Sequence, residues 1–125
     1  LAHWNKGGHV AAVEFALHGT TCEKVIHTGQ SLFVSHGVGE RWPRERAYDR
    51  DSYLGLACLD ASGAVIGHIA CMDGEPLAGP LPDEAVLKLF AVRAAVELER
   101  RRSRDRQASA ARHNSEVQQS STPGR

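Results

Sequence analysis

The 125-residue sequence lacks most features that mark membrane, secreted or metal-binding chains. No apolar run approaches the roughly 20 residues of a membrane-spanning helix, and the first residues show no signal-peptide pattern. Cys22, Cys58 and Cys71 are odd in number and have no C-x-x-C spacing. We therefore predict reduced, buried thiols in a cytoplasmic protein that has no disulfide, no metal site and no membrane partner.

The sequence also has no excess of positive or negative charge, because 15 Lys and Arg balance 15 Asp and Glu. The balance hides an asymmetry: residues 1–96 carry 8 basic and 11 acidic side chains, whereas residues 97–125 carry 7 and 4. A basic helix end and tail is more often a solvated segment than a binding patch. We therefore expect no nucleic-acid partner.

The motifs of the common catalytic classes are absent. The sequence contains no G-x-S-x-G, no G-x-x-x-x-G-K-[ST] and no H-E-x-x-H. We therefore predict that the chain has no catalytic residues and that its function is to bind a ligand.

The first part of the chain predicts two strands and a short helix. Apolar and polar residues alternate over 10–17, which is the period of a half-buried strand, and the turn before it is Asn5-Lys6-Gly7-Gly8. A Thr cap, Glu23 and Gly29 delimit a helix over 22–28. A short strand is expected over 31–34, and the Gly- and Pro-containing residues 35–51 are predicted to form a loop with at most short helical turns.

A β-hairpin is the clearest local unit. Residues 53–59 and 64–72 are apolar runs joined by the turn sequence Asp60-Ala61-Ser62-Gly63. Both faces of both strands are mostly apolar, so we expect the sheet to be the middle of three layers.

The last predicted element is a helix that Asp83 caps and that runs from about Glu84 past Arg100. Its first four turns are apolar almost all round, so it has more than one face to cover. Hydrophobic periodicity then ends, and disorder is expected from about residue 107.

These segments, in this order, resemble the GAF domain of bacterial sensor proteins. The similar pieces are Gly19-Thr20-Thr21-Cys22-Glu23-Lys24-Val25-Ile26, Gly37-Val38 to Trp42-Pro43, Ser52-Tyr53-Leu54-Gly55, Gly63 to Asp73, and Leu89 to Arg100. The resemblance covers residues 1–102, and 103–125 form a helix extension with a polar tail. The family's first helix and most of its first strand would precede Leu1, so we expect the chain to be a fragment.

The resemblance implies an α+β fold, in which helices pack on one face of an antiparallel sheet and loops cover a small-molecule pocket on the other. It implies a sensory domain that transmits through its last helix to an output domain such as a histidine kinase or a cyclic-dinucleotide enzyme. The alternatives are a small GAF-fold thiol redox enzyme and a ligand-free dimerisation module. The sequence identifies neither the ligand nor a cofactor.

Two sets of candidate site residues follow. The candidate ligand-binding residues are His68, Trp42, Arg41, Arg44, Tyr53 and Cys22. The candidate residues for a homodimer interface, which we also expect to contact the sheet, are Val86, Leu89, Phe90, Val92 and Val96.

The first set leaves alternatives open. His68 is either a core histidine or a ligand contact whose charge depends on pH. Cys22, at a helix N-terminus, is either a stabilised thiolate or a structural thiol. The charged loop around Trp42 either roofs a pocket or is a solvated, salt-bridged loop.

Overall fold

The computed structural model describes residues 3–5, 7–12, 14–78 and 83–121. It has an α+β architecture with a three-stranded antiparallel sheet and a long C-terminal helix. The elements are β1 His3–Asn5, β2 Gly8–Val10, α1 Thr21–Thr28, β3 Leu32–Val34, α2 Val38–Arg41, a 3₁₀ helix Pro43–Tyr48, β4 Ser52–Leu59, β5 Val65–Asp73 and α3 Asp83–Ser120.

The predicted hairpin is confirmed as β4 and β5, and β3 pairs with the other side of β4. Its turn closes because the Asp60 carboxylate accepts hydrogen bonds from the backbone of Ser62 and Ala64, while Gly63 takes φ 85°. The register shifts after the pair Cys58 and Gly67, which makes room for one extra residue in β5.

One face of the sheet packs against α3. Leu54, Leu56 and Cys58 of β4 form a buried cluster with Leu87, Ala91 and Ala95 of α3. The two alanines stand one turn apart and let the helix backbone approach the sheet closely.

This packing differs from the predicted contact set. Val86, Leu89, Phe90, Val92 and Val96 keep 45–71% of their surface exposed. They do not carry the sheet contact, because the helical period assigns that face to residues 87, 91, 95 and 98.

The opposite face of the sheet is covered by α1 and by the segment that contains α2. Val25, Val34, Val38 and Tyr53 are almost wholly buried there, together with Cys22. The sheet is therefore the middle of three layers, as the two-sided apolar pattern predicted.

The ends of α1 also agree with the sequence. Thr20 is the N-cap and accepts a hydrogen bond from the Glu23 N–H at 3.3 Å. Gly29 ends the helix in the left-handed conformation, with φ 65°. Residues 35–51 contain α2 and the 3₁₀ helix, which are the short helical turns allowed for that loop.

The strand predicted over 10–17 is not formed. β2 ends at Val10, and residues 11–12 and 14–17 have no regular structure, with Phe15 and Leu17 exposed. Val13 lies outside the described residues. Within the described residues, β2 pairs with β1 only over Gly8–Val10, so residues 11–12 and 14–17 have no partner strand there.

The C-terminal helix is longer than predicted. α3 runs to Ser120, through the segment where we expected disorder. Residues 101–120 contain no Gly or Pro and are rich in Arg, Ala and Gln, which favour a helix whether or not it packs. The side chain of Asp83 and residues 79–82 lie outside the described part, so the predicted cap is not visible.

Candidate functional site

Four of the six candidate ligand residues, His68, Trp42, Tyr53 and Cys22, lie in the same layer of the molecule. His68 stands opposite Ala57 in the antiparallel register, so the two side chains share the sheet face toward α1. Tyr53 belongs to the buried cluster on that face, and Trp42 packs against this cluster. The fold thus brings together side chains from four separate segments: α1, the residues after α2, β4 and β5.

Tyr53 and Cys22 fill this layer. Tyr53 is completely buried, and its hydroxyl donates to Cys22 Sγ across 3.9 Å. Burial raises the pKa of the Cys22 thiol and of the Tyr53 hydroxyl, so both stay protonated near neutral pH. This environment favours the structural alternative for Cys22 over a reactive thiolate.

His68 is half-buried on the same face. Burial lowers the pKa of its imidazole, because the charged form loses hydration. The side chain is therefore mainly neutral at pH 7, and an anion beside it would raise that pKa.

The two candidate arginines lie at the surface. Arg41 is exposed, and Arg44 donates from Nη1 to the carbonyl oxygen of His18 at 2.7 Å. The Arg44 guanidinium therefore holds the segment before α1 and presents only its remaining donors to solvent.

A buried carboxylate is the main feature that the sequence did not reveal. Glu45, in the 3₁₀ helix, accepts hydrogen bonds from the backbone N–H of Thr21 and from its hydroxyl, the latter at 2.7 Å. Both residues are buried. This contact joins the 3₁₀ helix to the first turn of α1, where acceptors are favoured. In the sequence, Glu45 is one charge among many in a polar loop.

The charged loop borders a polar groove of about 370 Å³. Its walls include Glu40, Arg46, Asp49 and Arg50. None of the six candidate ligand residues lines it, although it belongs to the loop predicted to roof a pocket.

A larger groove of about 590 Å³ lies on the α3 side of the sheet. Leu56 and Leu59 of β4 form part of one wall, and Ala91, Val92 and Val96 of α3 form part of the other. The charged side chains of the lining are one basic residue, Lys88, and two acidic residues, Asp60 and Glu99. The volume is in the range of small-molecule sites and the lining is mostly apolar with a few polar groups, but the groove is open to solvent rather than enclosed. The sequence did not single out this groove, because its walls meet only in the folded chain.

The thiols are separate from one another in the structure. Cys22 and Cys58 are buried on opposite sides of the sheet, whereas the predicted burial is wrong for Cys71, which is exposed near the end of β5; all three are free. Within the described ranges, no group of three His, Cys, Asp or Glu side chains is placed to hold a metal ion. In the same part of the chain, no helix is both long and apolar enough to cross a bilayer.

Comparison of this chain with protein-family models and with curated proteins gives no match.

Proposed function

We propose that this chain is a GAF-like sensory domain of the cytoplasm, which binds a small molecule and transmits the event through α3 to an attached output domain. The observation that carries the proposal is the course of α3. Its first turns form part of the core under β4 and β5, and the same helix then continues, wholly exposed, from Arg100 to Ser120. A change in the sheet is thus coupled to a rod that leaves the domain.

The groove of 590 Å³ is the ligand site that the geometry supports best. A molecule bound there would touch β4 and α3 together, so its binding energy could move one against the other. The lining calls for a flat apolar compound with one polar group, which Lys88 or Glu99 can meet from the groove wall.

The layer around His68 is the second candidate site, because it contains most of the ligand-binding residues predicted from the sequence. An anionic ring compound bound beside His68, Trp42 and a loop arginine should bind more tightly below about pH 6.5, since protonation of His68 then supplies a positive charge.

The fluorescent anion 1-anilinonaphthalene-8-sulfonate is a suitable probe for the two sites. For the α3 groove we expect Val92→Gln to weaken its binding about fivefold, because this side chain lines the groove. Val86→Gln is the matched control, since Val86 is exposed on the same helix away from the groove. Fluorescence titration at pH 6.0 and 7.5 measures both.

The same titrations assign the site. Loss of affinity in His68→Gln alone, together with loss of its pH dependence, would move the ligand to the loop side. Absence of saturable binding to the wild type would contradict the sensory proposal. Binding should also slow amide hydrogen exchange in residues 101–112, since transmission requires that α3 respond beyond the groove.

The thiol enzyme is the weaker rival. Burial raises the pKa of Cys58 as well as that of Cys22, and a protonated thiol is a poor nucleophile. Peroxide reduction supported by dithiothreitol and lost in Cys22→Ala would favour the enzyme.

The dimerisation module rests on the exposed apolar side chains of α3. Tight association together with the absence of saturable probe binding would favour this module over the sensor.

A further inference from the structure

The outward face of α3 combines apolar side chains with an unpaired charge. Val86, Leu89, Phe90 and Val96 are 45–71% exposed, and Arg93 lies among them. Within the described residues no carboxylate reaches ion-pair distance of Arg93. A cation in the middle of an apolar stripe calls for an acidic group on whatever covers that stripe.

Glu97 is the acidic group nearest to this position along the helix. It stands one turn after Arg93, on the side of α3 that faces away from the sheet. Its contacts with Arg100 and Arg101 are 3.9 and 3.8 Å long and are exposed, so they contribute little.

We propose that α3 binds a second copy of itself in antiparallel orientation, with each Arg93 paired to the partner's Glu97. The two helices then cross at the level of residue 95 along their axes, midway between positions 93 and 97, although the side chain of Ala95 itself faces the sheet. Such a two-fold contact forms the ion pair twice and seals the apolar stripe of each copy. The inference adds an orientation to the homodimer interface predicted on α3, and it requires no ligand.

The opposite orientation is disfavoured by charge. In a parallel pair each residue faces its own copy, so Arg93 would meet Arg93 and Arg100 would meet Arg100 along the centre of the contact. Like charges in a desolvated contact are costly. In the antiparallel pair Arg100 lies instead at the level of the partner's Phe90, where a guanidinium can stack on the ring.

The orientation determines where the two helix ends lie. Ser109 is 14 residues beyond the crossing point, which is about 21 Å at 1.5 Å per residue. The two copies of Ser109 are therefore about 40–45 Å apart in the antiparallel dimer and below about 25 Å in a parallel one. The output domains of the proposed sensor would leave at opposite ends of the pair.

Spin labels at residue 109 test this geometry in the full chain. Cys71→Ser removes the exposed thiol and Ser109→Cys introduces the label site, while Cys22 and Cys58 are buried. We expect a distance of about 40–45 Å by double electron–electron resonance. A distance below about 25 Å, or a chain that sediments as a monomer at 0.5 mM, would overturn the proposal.

A charge exchange tests the ion pair itself. Arg93→Glu should weaken dimerisation at least tenfold in sedimentation equilibrium, because two carboxylates then face each other. Adding Glu97→Arg should restore the affinity to within about threefold. Arg112→Glu, the same charge change beyond the partner's helix, should leave it unaltered. If the double variant dimerises as weakly as Arg93→Glu, the pairing is wrong.

An antiparallel dimer that binds no probe would leave this inference standing and would contradict only the ligand proposal.

Discussion

Tyr53 occupies the centre of the layer beside α1 because residue 55 has no side chain. The aromatic ring lies over Gly55, and a Cβ at that position would be 2.6 Å from Cζ of Tyr53 and closer still to its hydroxyl. The ring is fully buried, so it has no free space into which to move. The close approach therefore requires glycine at 55, and it explains why a strand that is otherwise apolar contains one.

We expect Gly55→Ala to destabilise the fold by about 1–3 kcal/mol through overpacking. For a domain of this size, that corresponds to a loss of at least about 3 °C in melting temperature. Thermal unfolding followed by circular dichroism measures the change. Gly8→Ala is the matched control, because a Cβ there meets no atom within 4 Å. Equal melting temperatures for Gly55→Ala and the wild type would contradict the packing argument.

At the scale of elements, the Glu45 side chain joins the 3₁₀ helix to α1. Removing Glu45 would leave the Thr21 N–H and hydroxyl buried without their acceptor, and the 3₁₀ helix would lose its tie to α1. We expect Glu45→Ala to cost about 2–3 kcal/mol, as for a buried hydrogen bond to a charged group. Urea unfolding at pH 7 measures this cost.

Two further variants define the role of this carboxylate. Glu45→Gln should retain part of the stability, because the amide oxygen can still accept one of the two bonds. Glu40→Ala removes an exposed carboxylate from the neighbouring helix α2 and should change the stability by less than about 0.5 kcal/mol. Equal losses in Glu45→Ala and Glu40→Ala would show that the buried contact has no special role.

Elements whose signals are local could be predicted from the sequence. Thr20 and Gly29 delimit α1, and the turn at Asp60–Gly63 sets the β4–β5 hairpin, since each depends on side chains within a few residues. The strand expected over 10–17 depends on a partner strand, which no local pattern supplies.

Local sequence patterns also failed to predict the end of α3 and the residues of the candidate site. The disorder expected from residue 107 was inferred from lost hydrophobic periodicity, which reports packing rather than helix formation. The groove between α3 and β4 and the contact of Glu45 with Thr21 both join distant segments. The sequence contains the residues of such sites, but it does not indicate that they are close together in the folded chain.

At the scale of the whole molecule, the two buried thiols report on the two sides of one sheet. Cys58 lies in the cluster under α3 and Cys22 in the cluster under α1. β4 supplies residues to both clusters, Leu54 to the first and Tyr53 to the second. The two layers share their central strand and should therefore open together.

This coupling predicts the rates at which the thiols react with 5,5′-dithiobis(2-nitrobenzoate) at pH 8. The exposed Cys71 should react at once, and Cys22 and Cys58 should then react with a single slow rate set by global opening. The variants Cys22→Ala and Cys58→Ala assign the phases, and each should remove half of the slow amplitude.

The rate of the slow phase should rise with urea concentration in parallel with the loss of stability, since both report the same opening. Two slow phases that differ more than about tenfold, with different urea dependence, would show that one layer opens without the other. The sheet could then not couple a ligand in the layer around His68 to α3 on the other side. Cooperative opening is therefore a requirement of that second candidate site, whereas a ligand in the groove beside α3 contacts the helix directly.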